Sequence, residues 1–453
     1  MALGGVPMYS LLFFLFAATP LSALIASPIY SNAAVTRCAA INMAATSKPI
    51  TAAIVGGGLA GLAACNALRK IGIDAHVYER AAKLSPQAGT GLTLWPNGLS
   101  ALEAIDTGYM PKIREEGSAT LEIEVTSADG LTKLPNPTGD PKRFPNEYGQ
   151  PMLNIRWSKL QQVLASQIPD DVIHLDRKLA KVEAKSGGGA TAHFESSDGV
   201  SKAEEVDLII GADGINSALR AQLVGDGAPR DAGRTIWRSI IPFDDELLQS
   251  GGCSMSAGAG RVGFLTHIGE GELYWSAFAT DEAVAQSGLD RDNFDDVKAY
   301  LLEQFKEVYK LKPCIERTPA EKILERRVAD RVPLVDESGS AKIPWSSEGL
   351  PVTLLGDAFH AMIPSLGQGA NSSFEGAYRL AAALKGATNA EELCEALRQY
   401  EVAQMERVHW IVERSAQQGK VVYEDRDEFM RAQGEAQDSM WGIKFDALGG
   451  FDA

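Results

Sequence analysis

A glycine-rich segment at residues 51–80 constrains the fold more than any other part of this chain. It reads TAAIVGGGLAGLAACNALRKIGIDAHVYER, with a short apolar strand, a turn containing Gly56, Gly58 and Gly61, an amphipathic helix, and a second strand that ends in Glu79. A G-x-G-x-x-G pattern between a buried strand and a helix is typical of a dinucleotide-binding βαβ unit. The chain is therefore predicted to be an α/β protein with a parallel sheet.

Each residue of this unit has a physical role toward a dinucleotide. Gly56 permits the tight turn, Gly58 lets the backbone approach a pyrophosphate, and Gly61 lets the helix pack closely on the strand. Unpaired N–H groups at the helix N-terminus attract the phosphates. Glu79 can accept hydrogen bonds from both ribose hydroxyls and would repel a 2′-phosphate, so the unit predicts FAD or NAD.

Three further segments pair a glycine-containing turn or a strand with a following helix. GTGLTLWPNGLSALEAI (89–105) is a bend followed by a helix. MLNIRWSKLQQVLASQI (152–168) is a strand that runs into a helix, and Arg156 at the junction either faces a phosphate or is an ordinary surface arginine. VDLIIGADGINSALRAQL (206–223) is a buried strand, a turn with Asp213 and a helix. Taken alone, that aspartate could be purely structural.

A fourth segment, GDAFHAMIPSLGQGAN at 356–371, allows two interpretations. Asp357 and His360 lie close together, which suggests acid–base chemistry. The breaks at Pro364, Gly367 and the second glycine of GQG instead suggest a loop that touches a large ligand closely. The residues by themselves do not separate these alternatives.

Together, the fingerprint at Gly56, GADGINSALR at 211–220 and the segment 356–371 resemble the class A FAD-dependent monooxygenases in order and separation. These proteins have the p-hydroxybenzoate hydroxylase fold. The sequence is most similar to their salicylate/urate hydroxylase-like and zeaxanthin epoxidase-like members. The resemblance spans about residues 50–415. It implies a Rossmann-like FAD-binding domain with βαβ units, an inserted mixed β-sheet substrate domain and a C-terminal helix.

The resemblance also implies roles for individual residues and favours the ligand-binding interpretation of the fourth segment. The Asp357 carboxylate is expected to bind the ribityl chain of FAD, Pro364 to lie beside the flavin where oxygen reacts, and His360 to be structural. Arg156 is expected to contact FAD, and Asp213 to serve both FAD and the incoming nicotinamide nucleotide. The full set of expected cofactor residues is Gly56, Gly58, Leu59, Ala60, Gly61, Glu79, Arg80, Arg156, Val182 (through its backbone, to adenine), Asp213, Gly356, Asp357, Pro364, Gly367, Gln368, Gly369 and Ala370.

One position departs from the resemblance. Relatives read Glu-Asp-Ala after the GQG-x-N turn, whereas here Glu375 is followed by Gly376. A glycine in a helix interior costs about 1 kcal/mol relative to alanine. Unusual helix packing is therefore expected at this position.

The chemistry that the resemblance implies is NAD(P)H- and O2-dependent monooxygenation. A flavin C4a-hydroperoxide would hydroxylate or epoxidise a small aromatic or isoprenoid substrate. Pro364 is the one residue named near the reacting oxygen, and no metal is expected. The alternatives are an FAD-dependent reductase of the geranylgeranyl-reductase type and a non-catalytic flavin-binding protein. NADH and NADPH remain equally open.

The substrate pocket is expected in the strand-rich region after residue 226. Aromatic and β-branched residues alternate there, and Trp237, Phe264, Tyr274 and Trp275 are candidates to line a pocket. Arg238 is a candidate for binding an aromatic acid. A carotenoid would instead need a long apolar channel.

The domain boundaries follow from these segments. The predicted divisions are a targeting leader at 1–47, a discontinuous FAD-binding domain at 48–119, 152–225 and 341–415, a substrate-domain sheet at 120–151 and 226–340, and a tail at 416–453.

Composition limits the partners and suggests a location. The net charge of −16 argues against a nucleic-acid partner. The five cysteines have no CxxC spacing and are expected to be reduced thiols. Residues 1–47 contain no acidic residue and an apolar run broken by Pro20, which is typical of a signal or transit peptide. A plastid or another organelle is predicted, with the secretory pathway as the alternative, and no firm membrane span is expected in the mature chain.

Overall fold

The fold was determined as a computed structural model. It describes residues 48–84, 90–136, 138–186, 188–258, 261–332, 334, 350–424 and 437–448. From Pro49 onward these residues belong to one unit. The predicted leader at 1–47 lies outside the described residues, as does the start of the third predicted FAD-domain segment at 341–349.

Strands and helices are mixed along the described part of the chain. The strands are β1 (Thr51–Val55), β2 (Asp74–Tyr78), β3 (Gly91–Leu94), β4 (Ser118–Ala119), β5 (Glu122–Ser127), β6 (Leu153–Arg156), β7 (Ile173–His174), β8 (Lys178–Ala184), β9 (Ala190–Glu195), β10 (Ser201–Val206), β11 (Leu208–Gly211), β12 (Arg230–Pro242), β13 (Gly252–Gly258), β14 (Arg261–His267), β15 (Glu272–Thr280), β16 (Leu324–Asp330) and β17 (Val352–Leu354). The helices are α1 (Leu59–Lys70), α2 (Pro96–Ile105), α3 (Tyr109–Glu116), α4 (Phe144–Tyr148), α5 (Trp157–Ala165), α6 (Ala218–Leu223), α7 (Asp281–Ala285), α8 (Phe294–Gln304), α9 (Leu311–Arg317), α10 (Asp357–His360), α11 (Gly369–Leu384), α12 (Ala390–Glu424) and α13 (Gln437–Trp441).

A five-stranded parallel sheet in the order β17-β11-β1-β2-β7 forms the centre of the cofactor half. Strands β1, β11 and β17 are almost wholly apolar and buried, because both faces of the sheet are covered. Helices α1, α2, α5 and α11 share one core with one face of the sheet. Strands β8–β10 and helix α12 share a second core with the other face. The predicted α/β fold class, with a Rossmann-like half, is confirmed.

A six-stranded mixed sheet forms the other half, in the order β16-β12-β15-β14-β13-β5. Adjacent strands of this sheet are antiparallel, except that β5 pairs with β13 in parallel. One face packs against α8 and α9. Because side chains alternate between the two faces of a strand, the opposite face is free to line a site.

Two local features differ from expectation. Residues 120–151 were expected to belong to the substrate-domain sheet, but of this range only β5 joins the six-stranded sheet. After β5 the chain makes a short turn, with a bridge between Thr126 and Lys133 and a hydrogen bond from the Ser127 N–H to the Thr132 carbonyl (2.9 Å). The next residues, LPNPTGDP, contain three prolines, which cannot donate ladder hydrogen bonds. Strand β13 was not predicted because its sequence, GCSMSAG, lacks β-branched and aromatic residues.

The cysteines and helices in the described parts of the chain allow two further statements. Cys65, Cys253, Cys314 and Cys394 are free thiols. None of the described helices is both long and apolar enough to span a bilayer.

Candidate functional site

A cavity of about 660 Å³ lies between the two halves of the fold. One wall consists of glycine-containing turns of the FAD-binding half, and the other is the inner face of the six-stranded sheet. The predicted cofactor residues that line it are Gly58, Leu59, Ala60, Asp357, Pro364, Gly367, Gly369 and Ala370. Those that do not are Gly56, Gly61, Glu79, Arg80, Arg156, Val182, Asp213, Gly356 and Gln368.

The first glycine turn has the geometry that its three glycines predict. Gly56 has φ +110°, and a Cβ there would lie 2.4 Å from the Ala212 carbonyl oxygen. A Cβ at Gly61 would lie 2.0 Å from the Gly56 carbonyl oxygen, so α1 packs directly on the turn. A Cβ added at Gly58 would have no neighbouring atom within 4 Å, because this glycine borders the cavity. The turn therefore offers open backbone at one position only.

Glu79 stabilises this turn from the end of β2. Its carboxylate accepts hydrogen bonds from the N–H groups of Gly57 (2.6 Å) and Ala81 (2.8 Å). A carboxylate has about four lone-pair positions, so acceptor capacity remains for ribose hydroxyls. Arg80, the next residue, is exposed. Ribose binding by Glu79 stays a prediction.

Arg156 and Val182 already have protein partners. The Arg156 guanidinium donates to the Glu272 carboxylate at 2.6 Å, which links β6 to the six-stranded sheet. The Val182 N–H donates to the Gln222 side-chain oxygen (3.0 Å), and the Gln222 amide donates to the Val182 carbonyl (2.6 Å). The backbone of Val182 was predicted to contact adenine. Contacts of both residues with the cofactor stay predictions.

Asp213 organises the GADG turn. One carboxylate oxygen accepts from the Ala218 N–H (2.8 Å) at the start of α6. The other is buried without a partner in the described part of the chain. Gly214, the following residue, borders the cavity. The aspartate thus fixes the turn and retains one free acceptor beside it.

Gly356 and Asp357 form a second close approach, just after β17. Gly356 has φ +62°, and a Cβ there would lie 2.7 Å from the Ala60 Cβ. The Asp357 side chain is exposed to the cavity and has no hydrogen-bond partner among the described residues. Desolvation by the surrounding protein raises the pKa of Asp357 above its ordinary value. The positive charge of Arg326 opposes this shift. An unpaired acceptor facing a cavity suits a ligand that brings hydroxyl groups.

The turn from Pro364 to Gly369 closes this wall. Pro364 begins a short 3-10 turn, Gly367 has φ +62°, and α11 begins at Gly369. A Cβ at Gly367 would lie 2.9 Å from the Trp95 indole nitrogen. Gly369 and Ala370 border the cavity, so the unpaired N–H groups of a 16-residue helix are presented at its edge. Such a terminus favours negative charge.

Gln368 points away from the cavity and belongs to a buried polar cluster. Its side-chain oxygen accepts from the Asn97 amide at 2.9 Å. The same amide donates to Glu375 at 2.6 Å, and Glu375 is paired with Arg407 (2.9 Å). The predicted cofactor role of Gln368 can therefore involve its backbone, while its side chain fixes the turn.

Two asparagines of the site were not selected from the sequence. Asn371 accepts from the Trp95 N–H (3.0 Å) and donates to the carbonyls of Thr93 (3.1 Å) and Gly367 (2.8 Å). Asn97 makes the contacts given above. Both stand in the quoted motifs, as the last residue of GQGAN and within WPNG. The hydrogen bonds of these two asparagines join segments that lie far apart in sequence. No local sequence pattern indicates such contacts.

His360 lies outside the cavity. It is 3% exposed, and neither ring nitrogen has a partner in the described part of the chain. Burial lowers the pKa of His360 to about 4. The ring is therefore neutral at neutral pH and does not face the cavity, which supports its expected structural role.

Gly376, the departure from the family pattern, lies where α12 approaches α11. A Cβ there would lie 2.8 Å from Leu355 Cδ1 and 3.0 Å from Gln404 Nε2. The Gln404 amide donates to the Ser372 carbonyl at 3.1 Å. The missing side chain thus makes room for a side chain of the neighbouring helix.

The sheet wall uses every second residue of its strands. Of the four aromatic candidates, Phe264 and Tyr274 line the cavity. Trp237 and Trp275 are fully buried on the opposite face against α8 and α9, so the expectation that they line the pocket was wrong. Adjacent residues of a strand point to opposite faces, which is why Tyr274 and Trp275 separate.

Arg238 is the notable charge on this wall. It lies opposite Ser276 in the ladder and close to the Tyr274 side chain of the same neighbouring strand. Burial lowers the pKa of Arg238, and the nearby cation Arg326 lowers it further, while Tyr274 acts in the opposite sense. Among the described residues Arg238 forms no salt bridge, and its Nε has no partner. The wall therefore carries a partly desolvated positive charge without a counter-ion.

Comparisons with known proteins extend over most of the chain. Residues 50–241 and 339–415 match the protein-family model FAD binding domain. Aurachin C monooxygenase/isomerase of Stigmatella aurantiaca is 33% identical, over 82% of this chain and 89% of that protein. The chloroplastic zeaxanthin epoxidase of an Oncidium hybrid cultivar is 31% identical over 74% of this chain, which spans only 48% of the epoxidase.

The fold itself is matched by a solved structure. Klebsiella pneumoniae HpxO, in complex with FAD and uric acid, aligns with a TM-score of 0.72 over 89% of this chain and 98% of that chain. At 22% sequence identity this match shows a shared fold.

Proposed function

This chain belongs to the family of FAD-dependent monooxygenases, and we propose that it uses NADH or NADPH and O2 to oxygenate an electron-rich aromatic substrate that carries a negative charge. The observation that carries the substrate class is Arg238, a cavity-lining cation with no carboxylate partner among the described residues. Hydroxylation is the expected outcome on such a ring.

The glycine-turn wall fits FAD. The open backbone at Gly58 would receive the pyrophosphate, the Asp357 carboxylate would accept from ribityl hydroxyls, and the N–H groups from Gly367 to Ala370 would face the flavin. When bound, FAD supplies the redox chemistry, taking electrons from the nicotinamide and delivering them to O2. The protein contributes position and electrostatics through these residues.

The rest of the sheet wall excludes water from the reacting groups. Apolar side chains cover most of it, among them Ile123, Val125, Met255, Val262 and Phe264. A dry site strengthens each electrostatic interaction within it and protects reactive species from water. The cation at Arg238 therefore acts on a substrate with little screening.

An anionic ligand would compensate the Arg238 charge. Placing a guanidinium in an apolar wall without a counter-ion is unfavourable, and a carboxylate or phenolate removes that penalty. A hydrogen bond to a charged group contributes about 1.5–3 kcal/mol. Burial raises the pKa of Tyr274, so its phenol stays protonated and can donate to the same anion. A neutral isoprenoid would leave the cation unpaired.

Anaerobic flavin reduction tests this proposal on the FAD-loaded, full-length chain. NADH or NADPH is mixed with the enzyme in the presence of 4-hydroxybenzoate or urate, and flavin absorbance is followed. The matched neutral ligands are 4-hydroxybenzamide and zeaxanthin. We expect the anionic aromatics to bind and accelerate bleaching more than their neutral counterparts.

Two outcomes would contradict different parts of the proposal, the substrate class or the reaction type. Acceleration by zeaxanthin alone would overturn the anionic substrate class. A flavin that no nicotinamide reduces, with or without any ligand, would overturn NAD(P)H-dependent monooxygenation. Product analysis in air then distinguishes hydroxylation from epoxidation.

We also propose delivery to a plastid or another organelle by residues 1–47. The support is their acid-free composition and the chloroplastic name of one relative. A fluorescent fusion of residues 1–47 should enter the organelle, whereas the chain from Lys48 should not. Secretion of the fusion would favour the secretory alternative.

A further inference from the structure

The C-terminal segment, residues 437–448, packs behind the wall of glycine turns. It comprises α13 and the extended residues that follow it. Met440 and Trp441 are each 3% exposed, and Leu448 is 7% exposed. The Leu448 N–H donates to the Ala104 carbonyl of α2 at 2.9 Å. The segment is thus anchored by three buried side chains and one backbone hydrogen bond.

An aromatic stack connects this segment to the cavity. The rings of Trp441 and Trp95 are 4.6 Å apart and inclined by only 7°. Trp95 itself lines the cavity, and its indole nitrogen occupies the space that a side chain at Gly367 would need. Trp441 thus supports, from behind, the ring that lies against the turn before α11.

A series of hydrogen bonds also connects the C-terminal segment to the turn before α11. Arg407 of α12 donates to two backbone carbonyls of α13, at 2.7 and 2.8 Å. It also binds the fully buried Glu375 carboxylate at 2.9 and 3.0 Å. Glu375 accepts from Asn97, whose amide also holds the side chain of Gln368. The contacts are continuous from the chain end to the GQG turn.

We propose that the C-terminal segment is a positioning element of the FAD site. Trp441, through Trp95, and Arg407, through Glu375 and Asn97, hold the turn 367–369 in the conformation that receives the cofactor. Docking of the segment and binding of FAD are then coupled. By thermodynamic reciprocity, each strengthens the other by the same factor.

Hydrogen exchange on the unaltered protein tests the coupling without any measurement of turnover. Peptides that cover residues 437–448, including the Leu448 amide, are followed in the holoenzyme and after removal of FAD. We expect slower exchange with FAD bound. Equal exchange rates in both states would overturn the proposal.

The reverse direction is tested with Trp441→Ala. Loss of one stacked aromatic pair should weaken FAD binding about fivefold to tenfold, measured by flavin fluorescence on titration. Trp441→Phe should restore most of the affinity because it retains a stacked ring. The stability control is Trp237→Phe, in the sheet core away from the cavity.

A merely structural role has a different signature. Trp441→Ala would then lower the melting temperature as Trp237→Phe does, while the FAD dissociation constant stayed within about twofold of the unaltered protein. That result would overturn the proposal. If Trp441→Ala does not fold, Arg407→Lys together with the exchange experiment decides the same question. Neither result bears on which substrate is oxygenated.

Discussion

The two walls of the cavity are built from different parts of the polypeptide. The FAD-side wall presents backbone at Gly58, Gly367 and Gly369. The turns that carry it are held by close approaches at Gly56, Gly61 and Gly356, which admit no side chain. The sheet wall presents side chains, one from every second residue of β12 to β16. The turns behind the first wall can change little without steric collision. The second can change its chemistry with its backbone intact.

This difference separates cofactor binding from substrate choice. A wall of constrained backbone suits an invariant ligand such as FAD. A wall of alternating side chains can place a charge, such as that of Arg238, in a largely apolar surface. The predicted family and the FAD cofactor were confirmed by the comparisons. The substrate class depends on the second.

The largest expected effect comes from Gly61→Val, in the turn that carries the backbone wall. A Cβ at this position would lie 2.0 Å from the Gly56 carbonyl oxygen, and the backbone cannot yield without losing the turn. We expect destabilisation by about 3 kcal/mol or more and loss of FAD, measured by urea unfolding and flavin content. The matched control is Gly58→Ala, whose methyl group would enter the cavity. It should preserve the melting temperature of the FAD-free protein and weaken FAD binding. Equal stability of the two variants would contradict the backbone-wall description.

Arg238→Met tests the side-chain wall. The substitution keeps most of the apolar stem and removes the charge. We expect the dissociation constant of the anionic substrate to rise about 100-fold, equivalent to ~2.7 kcal/mol. FAD affinity and binding of the neutral analogue should be unchanged. The control is Arg327→Met, because Arg327 is exposed and pairs with Asp281. A comparable loss for anionic and neutral ligands would show that Arg238 shapes the pocket without recognising charge.

His360→Leu tests whether the polar residues behind the backbone wall are catalytic or structural. The folded-state pKa of His360 is about 4, below the unfolded value near 6.5. The unfolded chain therefore binds the proton first, and stability falls as pH drops from about 6.5 to 4. His360→Leu should remove roughly 2–3 kcal/mol of this loss, measured by urea unfolding at pH 7 and pH 4.5. The control is His193→Leu, at a half-buried position where the ring contacts Glu183. An altered pH profile of turnover near neutrality would instead place His360 in the chemistry.

Gly376→Ala should have the smallest effect. Alanine favours the helix by about 1 kcal/mol, but its Cβ would lie 2.8 Å from Leu355 Cδ1. We expect net destabilisation below about 1 kcal/mol with unchanged FAD affinity. Ala382→Gly, at an exposed position of the same helix, measures the effect of helix propensity on stability without a change in packing. A clear gain in stability would show that the α11–α12 contact is loose.

The sequence by itself determined the fold class, the family and the outline of the cofactor wall. These features are local: G-x-G-x-x-G, GADG and GQGAN each define a turn and the start of a helix through nearby residues. Positive φ at Gly56, Gly356 and Gly367 follows from turns that were recognisable before the structure. The tertiary structure was not needed to find them, because glycine is required wherever two backbones approach this closely.

Only the tertiary structure decided which side chains face the cavity and what supports the turn. Strand register sends Tyr274 inward and Trp275 outward, and a shift of one residue would reverse them. Asn371, Asn97 and Arg407 join segments that lie far apart in sequence. Trp441 reaches Trp95 from the other end of the chain. Such contacts depend on how whole elements pack, and local sequence patterns carry no information about partners that distant.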